Sequence, residues 1–343
     1  MSYRKIAKLS PCVSTGNIGD FIIDEYCQNI LDELFDACFY VCEPTHEKLC
    51  HLSFQNITSS DFSFICGTNL LNSHMRKYKQ WNISLSDVWS FFFFDYPKKA
   101  LLSVNKLKNN IDRKKEKKPI LFGAGWWQYQ DLPDAYTKTL LKLFLSDKYI
   151  HSVRDSYTEN MLRVAGIENV LNTACPTMWN LTDDFCLGIP NKKSSSVVTT
   201  LTNYNIDEQS DLYMMDTLLR NYDKVYVWLQ SPEDYHQLMA SRFCDKIHVI
   251  PPTLRDYDRF LRETDSDYIG TRLHGGIRAL NFKHSSLIIA VDNRAVEISK
   301  DTNLPVILRN NIMDQLEARI HCQDPIIIHL PTENICMWKS QFH

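Results

Sequence analysis

Short β-rich apolar runs alternate with helix-length stretches along nearly the whole chain. The first half offers "KIAKLSP", "ACFYVCE", "FSFICGT", "PILFGAG", "IHSVRD" and "NVLNTAC"; the second offers "SVVTTLT", "KVYVWLQ", "KIHVIPP", "DYIGTR", "SLIIAVD" and "PVILRN". Between them lie stretches such as "DFIIDEYCQNILDELF", whose Ile22, Ile23, Tyr26, Ile30, Leu31 and Leu34 fall at helical spacing. Strand and helix in alternation predict βαβ units and parallel sheets.

One stretch breaks the rhythm. "GIPNKKSSS", residues 188–196, is rich in linker residues and predicts a division into an N-terminal α/β domain (1–187) and a C-terminal one (197–343). The expected fold class is α/β, with two doubly wound Rossmann-like domains facing a cleft. In such sheets ligands bind beyond the carboxyl ends of strands, so the strand-to-helix junctions are the places to look for chemistry.

Bulk properties narrow the classes. At 343 residues the chain has room for about two domains of ordinary size. Apolar residues make up 44% and charged residues 23%, as in a soluble globular protein, and a net charge of −3 gives no reason to expect nucleic acid as a partner. The 11 cysteines are scattered, with no C-x-x-C pair, which favours reduced thiols over a disulfide framework or a zinc site. The opening "MSYRKIAKLSPC" has no apolar core of a signal peptide and no run approaches a membrane span. A cytoplasmic protein is expected, with no metal and no resident cofactor. "GAGWWQ" lacks the third glycine of a dinucleotide fingerprint, no P-loop is present, and the D-x-D of Asp265 and Asp267 reads better as a polar turn.

Three junctions remain. In "YIGTRLHGGIRAL" a strand passes through Arg272, His274, Gly275 and Gly276 into a helix. A helix N-terminus welcomes an anion, glycines permit close backbone approach, Arg272 offers a bidentate clamp, and His274 can move a proton near neutral pH. The plainer alternative is a glycine turn with a surface arginine and a capping histidine. In "HSVRDSYTENMLRVAG", Ser156 and Glu159 have capping-box spacing and Gly166 suits the helix end, which puts Arg154 at the end of a strand. Its structural alternative is a salt bridge to Asp155. In "VSTGNIGDFII", Asp20 suits a helix cap or first turn, while Asn17 and Asp20 are also placed to touch a sugar hydroxyl. Trp126, Trp127 and Trp179 sit beyond strand ends and suit either stacking on a sugar ring or the core. The lysine- and arginine-rich segment 106–118 is either a solvated linker or a contact with an anionic membrane surface.

"GNIGD", "SVRDSYTENMLRVAGI" and "DYIGTRLHGGIRAL" together resemble the polysaccharide pyruvyl transferases, over about residues 13–300. The resemblance implies a GT-B-like pair of domains, phosphoenolpyruvate as donor substrate and a sugar as acceptor; a sugar or lipid-linked oligosaccharide is the expected partner, and a place at the inner face of the membrane is an expectation beside the cytoplasmic one. It makes Arg154, Arg272 and His274 the catalytic and donor-site residues, with Gly275 and Gly276 beside them and His274 as the acid. Asn17, Asp20, Trp126 and Trp179 are the expected acceptor side. One departure stands out: "ACPTMW" places Cys175 before Pro176 where many members have Asp-Pro. A nucleotide-sugar glycosyltransferase of the same fold, or a carbohydrate-binding protein without turnover, are the competing readings.

Overall fold

All twelve β-rich runs form strands in the computed structural model, which describes residues 3–82, 84, 117–239 and 242–343. The chain forms two compact units: Met1–Thr15, Asp24–Pro176 and Pro331–His343 make the first, Gly16–Ile23 and Thr177–Leu330 the second.

The first unit contains β1 (Arg4–Ser10), β2 (Cys38–Pro44), β3 (Phe62–Cys66) and β4 (Ile120–Phe122) in the parallel order β2-β1-β3-β4. Two further parallel strands, β5 (His151–Val153) and β6 (Val170–Asn172), follow on from β4 through the Ala124–Val153 bridge. Its helices are α1 (Ile18–Leu34, which begins in the second unit), α2 (His51–Ser59), α3 (Ala135–Phe144) and α4 (Ser156–Ala165). Apolar faces meet in a core that includes Leu9, Ile57, Ile65, Leu121, Trp126 and Leu162. The returning C-terminal helix adds Trp338, stacked on Phe122 with ring centroids 4.5 Å apart.

The second unit is a six-stranded parallel sheet in the order β12-β11-β10-β7-β8-β9. Its strands are β7 (Ser196–Thr199), β8 (Lys224–Trp228), β9 (His248–Ile250), β10 (Asp267–Gly270), β11 (Ser286–Ala290) and β12 (Val306–Leu308). They alternate with α5 (Glu208–Asn221), α6 (Pro232–Met239), α7 (Leu254–Glu263), α8 (Leu273–Asn281), α9 (Asn293–Thr302) and α10 (Ile312–Ile320). This is the doubly wound order of a Rossmann-like sheet. Strands run outward in one direction from β7 and in the other from β10, so the topological switch point lies between those two, beyond their carboxyl ends.

The units do not part at 188–196. Ile189 is buried there, Ser194 N–H donates to Asp267 Oδ2 at 3.2 Å, and Ser194 Oγ donates to the Asp265 carbonyl at 3.0 Å. A segment tied to the edge of β10 is part of the second sheet, not a linker. Residues 16–23 also depart from the expected N-terminal assignment, because Ile18 N–H donates to the Gln230 carbonyl at 3.2 Å.

None of the eleven cysteines is joined in a disulfide. Among the described residues no helix is long and apolar enough to cross a membrane. Most of the basic segment, 106–116, lies outside the described residues. Lys117 pairs with Asp61 at 3.6 Å and the buried Lys118 donates to the Lys142 carbonyl at 3.1 Å.

Candidate active site

Arg272 stands at the switch point as the residue before α8. Its backbone is held by a ring of three hydroxyl contacts. Tyr268 OH donates to the Arg272 carbonyl at 2.7 Å, Thr200 Oγ1 lies 2.7 Å from Tyr268 OH, and Arg272 N–H donates to Thr200 Oγ1 at 3.1 Å. Burial pushes the Tyr268 phenol above its ordinary pKa, so it stays a donor. The loops after β7 and β10 are thereby locked together where the sheet reverses.

The guanidinium is largely engaged. Nη2 lies 2.7 and 3.0 Å from the two carboxylate oxygens of Asp234 and 3.2 Å from Asn203 Oδ1, while Nε donates to the Leu201 carbonyl at 2.9 Å. Both partners of the ion pair are buried. Asp234 also accepts the N–H groups of Gln230 and Ser231, at 3.0 and 3.1 Å, ahead of α6. Arg272 is therefore a neutralised element of the scaffold more than the uncommitted clamp that the sequence suggested. Its Nη1 meets no acceptor among the described residues.

His274 is the second residue of α8, and it is buried. Gly275 and Gly276 follow, and their small size serves packing on the sheet. A Cβ on Gly276 would lie 2.6 Å from Ile288 Cγ1 and 2.8 Å from Tyr268 Cε1, both parts of the sheet. Gly276 N–H also donates to the Arg272 carbonyl at 3.2 Å, so it is not open to a ligand. This corrects the donor-binding role expected of Gly276. The N–H groups of Leu273 and Gly275, by contrast, meet no acceptor among the described residues.

Asn17 and Asp20 open α1. Asn17 Oδ1 accepts from Gly19 N–H at 3.2 Å and its carbonyl accepts from Asp20 N–H at 3.1 Å, so Asn17 performs the cap and Asp20 is the first-turn acid. Burial works against the charge of Arg294, but Tyr204 and Asp292, and after them Asp20, raise its guanidinium above the ordinary pKa. Arg294 itself pairs with Asp292 at 2.6 Å and lies 5.8 Å from the ring centroid of Tyr204; Arg272 lies 5.3 Å from the same ring. Tyr204 is half exposed, between two cations.

In the first unit Arg154 follows β5 directly. Asp155 caps α4 by accepting Thr158 N–H at 2.7 Å, a role the sequence reading gave to Ser156. Asp155 Oδ2 also accepts from Arg154 Nε at 3.1 Å, and Arg154 Nη2 donates to Asn69 Oδ1. The salt bridge named as the structural alternative for Arg154 thus exists, while its Nη1 meets no acceptor among the described residues. Gly166 ends α4 in the left-handed conformation, at φ 85°.

Trp126 is not an acceptor platform. It is wholly buried in the first unit's core and donates from Nε1 to Ser73 Oγ at 3.3 Å. Trp179, in the second unit, is 8% exposed. Asp267 of the D-x-D is a buried strand residue that accepts from Tyr222 OH at 2.8 Å, and burial raises its pKa.

Sequence reasoning passed over Tyr204, Gln230, Asp234 and Arg294. A signal existed for one of them, Asp234: "KVYVWLQ" followed by "SPED" is a strand, a cap and a helix start, with Ser231 and Asp234 at capping-box spacing.

At the switch point of this parallel α/β unit an arginine, a histidine and open helix N–H groups stand together, an arrangement suited to an anion. The polysaccharide pyruvyl transferase family model matches residues 17–293, and the chain belongs to that family. Among solved structures the chain is similar to the UDP-GlcNAc 2-epimerase of Methanocaldococcus jannaschii in complex with UDP-GlcNAc and UDP (9% identity, 95% of each chain, TM-score 0.49). It is similar as well to a co-structure of S. aureus MnaA with UDP (11% identity, 93% of this chain and 90% of that one, TM-score 0.47). No curated protein matches it.

Proposed function

We propose that this enzyme transfers pyruvate from phosphoenolpyruvate to two hydroxyls of a sugar in a cell-surface polysaccharide or its lipid-linked precursor, forming a cyclic ketal. The observation that carries the proposal is His274 in the first turn of α8 at the switch point, between residues whose N–H groups are open. The helix end is polarised positive and suits an anionic donor. The remaining Nη1 group of Arg272 supplies a further donor for its carboxylate or phosphate.

In this reading protonated His274 delivers its proton to the methylene carbon of phosphoenolpyruvate, leaving an oxocarbenium-like centre at C2. A sugar hydroxyl adds to C2 and loses its proton, with Asp20 as the base on the acceptor side. The bond from C2 to the phosphate oxygen then breaks, its electron pair departs with phosphate, and a second hydroxyl adds to C2 and gives its proton back to His274, closing the ring. Open N–H groups and guanidinium donors stabilise the charge that builds on the leaving group.

The test is mass spectrometry of candidate lipid-linked oligosaccharides incubated with enzyme and phosphoenolpyruvate. Added pyruvate ketal, matched by released phosphate and lost in His274→Ala with folding retained, is the expected result. Release of UDP or GDP from a nucleotide sugar, without turnover of phosphoenolpyruvate, would replace the proposal with a glycosyltransferase.

A further inference from the structure

Gln230 lies just beyond β8, and its backbone is fully used: its N–H donates to Asp234 and its carbonyl accepts from Ile18. The residue is 1% exposed, yet Nε2 has no hydrogen-bond partner among the described residues. A buried donor left unpaired is costly, and native structures keep such groups where a ligand or a water completes them.

The position of the amide points to what completes it. A Cβ on Gly275 would lie 3.1 Å from Gln230 Nε2, and one on Gly19 would lie 3.4 Å from Oε1, so the amide rests against the first turns of α8 and α1. The first turn of α1 is closed: Ile18, Gly19 and Asp20 all give their N–H groups to Gln230 or Asn17. That of α8 is open at Leu273 and Gly275. An unpartnered side-chain donor and open helix donors therefore meet at one place in the second unit.

We infer that Gln230 Nε2 is a ligand-binding donor which, with the first turn of α8, holds one oxyanion, a carboxylate or a phosphate. The inference rests on the pyruvyl-transfer reading only for the identity of that anion as part of phosphoenolpyruvate. A side-chain amide here adds direction to a site otherwise built from backbone, while the helix end supplies the preference for an anion.

Gln230→Met removes the donor at nearly constant volume, and Gln230→Glu puts a carboxylate where the anion sits. The probes are inorganic phosphate, pyruvate and phosphoenolpyruvate, titrated calorimetrically, with thermal unfolding of each apo-protein alongside. The expected result is that Gln230→Met binds phosphoenolpyruvate about tenfold more weakly with an unchanged or higher Tm, because an orphan donor has been removed. Gln230→Glu should lose binding altogether, and it decides the matter if the methionine variant fails to fold. Loss confined to phosphate or to pyruvate identifies which group the amide holds. A lower Tm for Gln230→Met with unchanged affinities, or anion affinity equal to wild type in both variants, overturns the inference. Anion binding without turnover of phosphoenolpyruvate would sink the proposed reaction and leave Gln230 standing.

Discussion

The guanidinium of Arg154 occupies the space that a side chain on Gly125 would take: a Cβ built there lies 2.1 Å from Arg154 Cζ and 2.3 Å from Nε. Gly125 has no positive φ, so alanine is allowed by the backbone, and the nearest conflict is with the Arg154 guanidinium. Gly125→Ala should force the guanidinium away from Asp155 and Asn69 and lower kcat/KM for pyruvyl transfer at least tenfold, with a Tm change of a few degrees. Steady-state kinetics beside thermal unfolding checks this. Unchanged kinetics would show that Arg154 is not needed in its present place.

Asp234 neutralises Arg272 in a buried pair and supports the start of α6 as well. Asp234→Asn keeps the shape but leaves a buried guanidinium without its counter-charge, which costs on the order of 3–5 kcal/mol. Urea denaturation should show the loss as a lower midpoint with an unaltered slope. A loss below about 1 kcal/mol would mean that water reaches the pair.

Glycine at 276 is demanded by the sheet, whereas glycine at 16 is not. An added Cβ at Gly276 meets Ile288, Tyr268 and Ser286 within 2.9 Å, while nothing lies within 4 Å of one at Gly16. Gly276→Ala should destabilise by about 1–3 kcal/mol through overpacking, and Gly16→Ala by less than about 0.5 kcal/mol. Chemical denaturation of the two variants side by side provides the comparison.

His151 gives the fold a pH dependence of definite sign. It is fully buried, accepts from Leu121 N–H at Nδ1 (3.0 Å) and contacts the Ser146 carbonyl through Nε2 (2.8 Å); burial lowers its pKa to about 4. The unfolded chain takes up this proton near pH 6.5 and the folded one near pH 4, so the unfolded state binds more protons between those values. Stability from His151 is complete above about pH 6.5 and falls by about 3 kcal/mol as pH drops to 4. His151→Gln, compared with wild type across that range, should show a flatter profile. Parallel profiles would place the acid sensitivity elsewhere.

The strands, the parallel class and the three junctions were legible because each is written in contiguous residues: β-rich runs, helix periodicity, caps and glycines. What stayed hidden is set by partners distant in sequence. Nothing in "GIPNKKSSS" reveals that Ser194 binds Asp265 and Asp267 more than seventy positions later. Nothing near Arg272 announces Asp234, so an engaged guanidinium and a free one look alike in the sequence. Trp126 shows the same limit: a residue beyond a strand end can still point into the core. Gln230 carries no motif, and its interest arises from an atom without a partner, which only three dimensions expose.

The C-terminal helix closes the aromatic cluster of the first unit, setting Trp338 against Phe122 and Phe342 against Phe62 and Phe64. Because Thr177–Leu330 intervenes, the ribosome must synthesise the entire Rossmann-like sheet before those rings arrive. During translation, then, the earlier-made half waits with a greasy surface unsealed while the later-made half is free to finish first, and chaperones would meet this enzyme in that order.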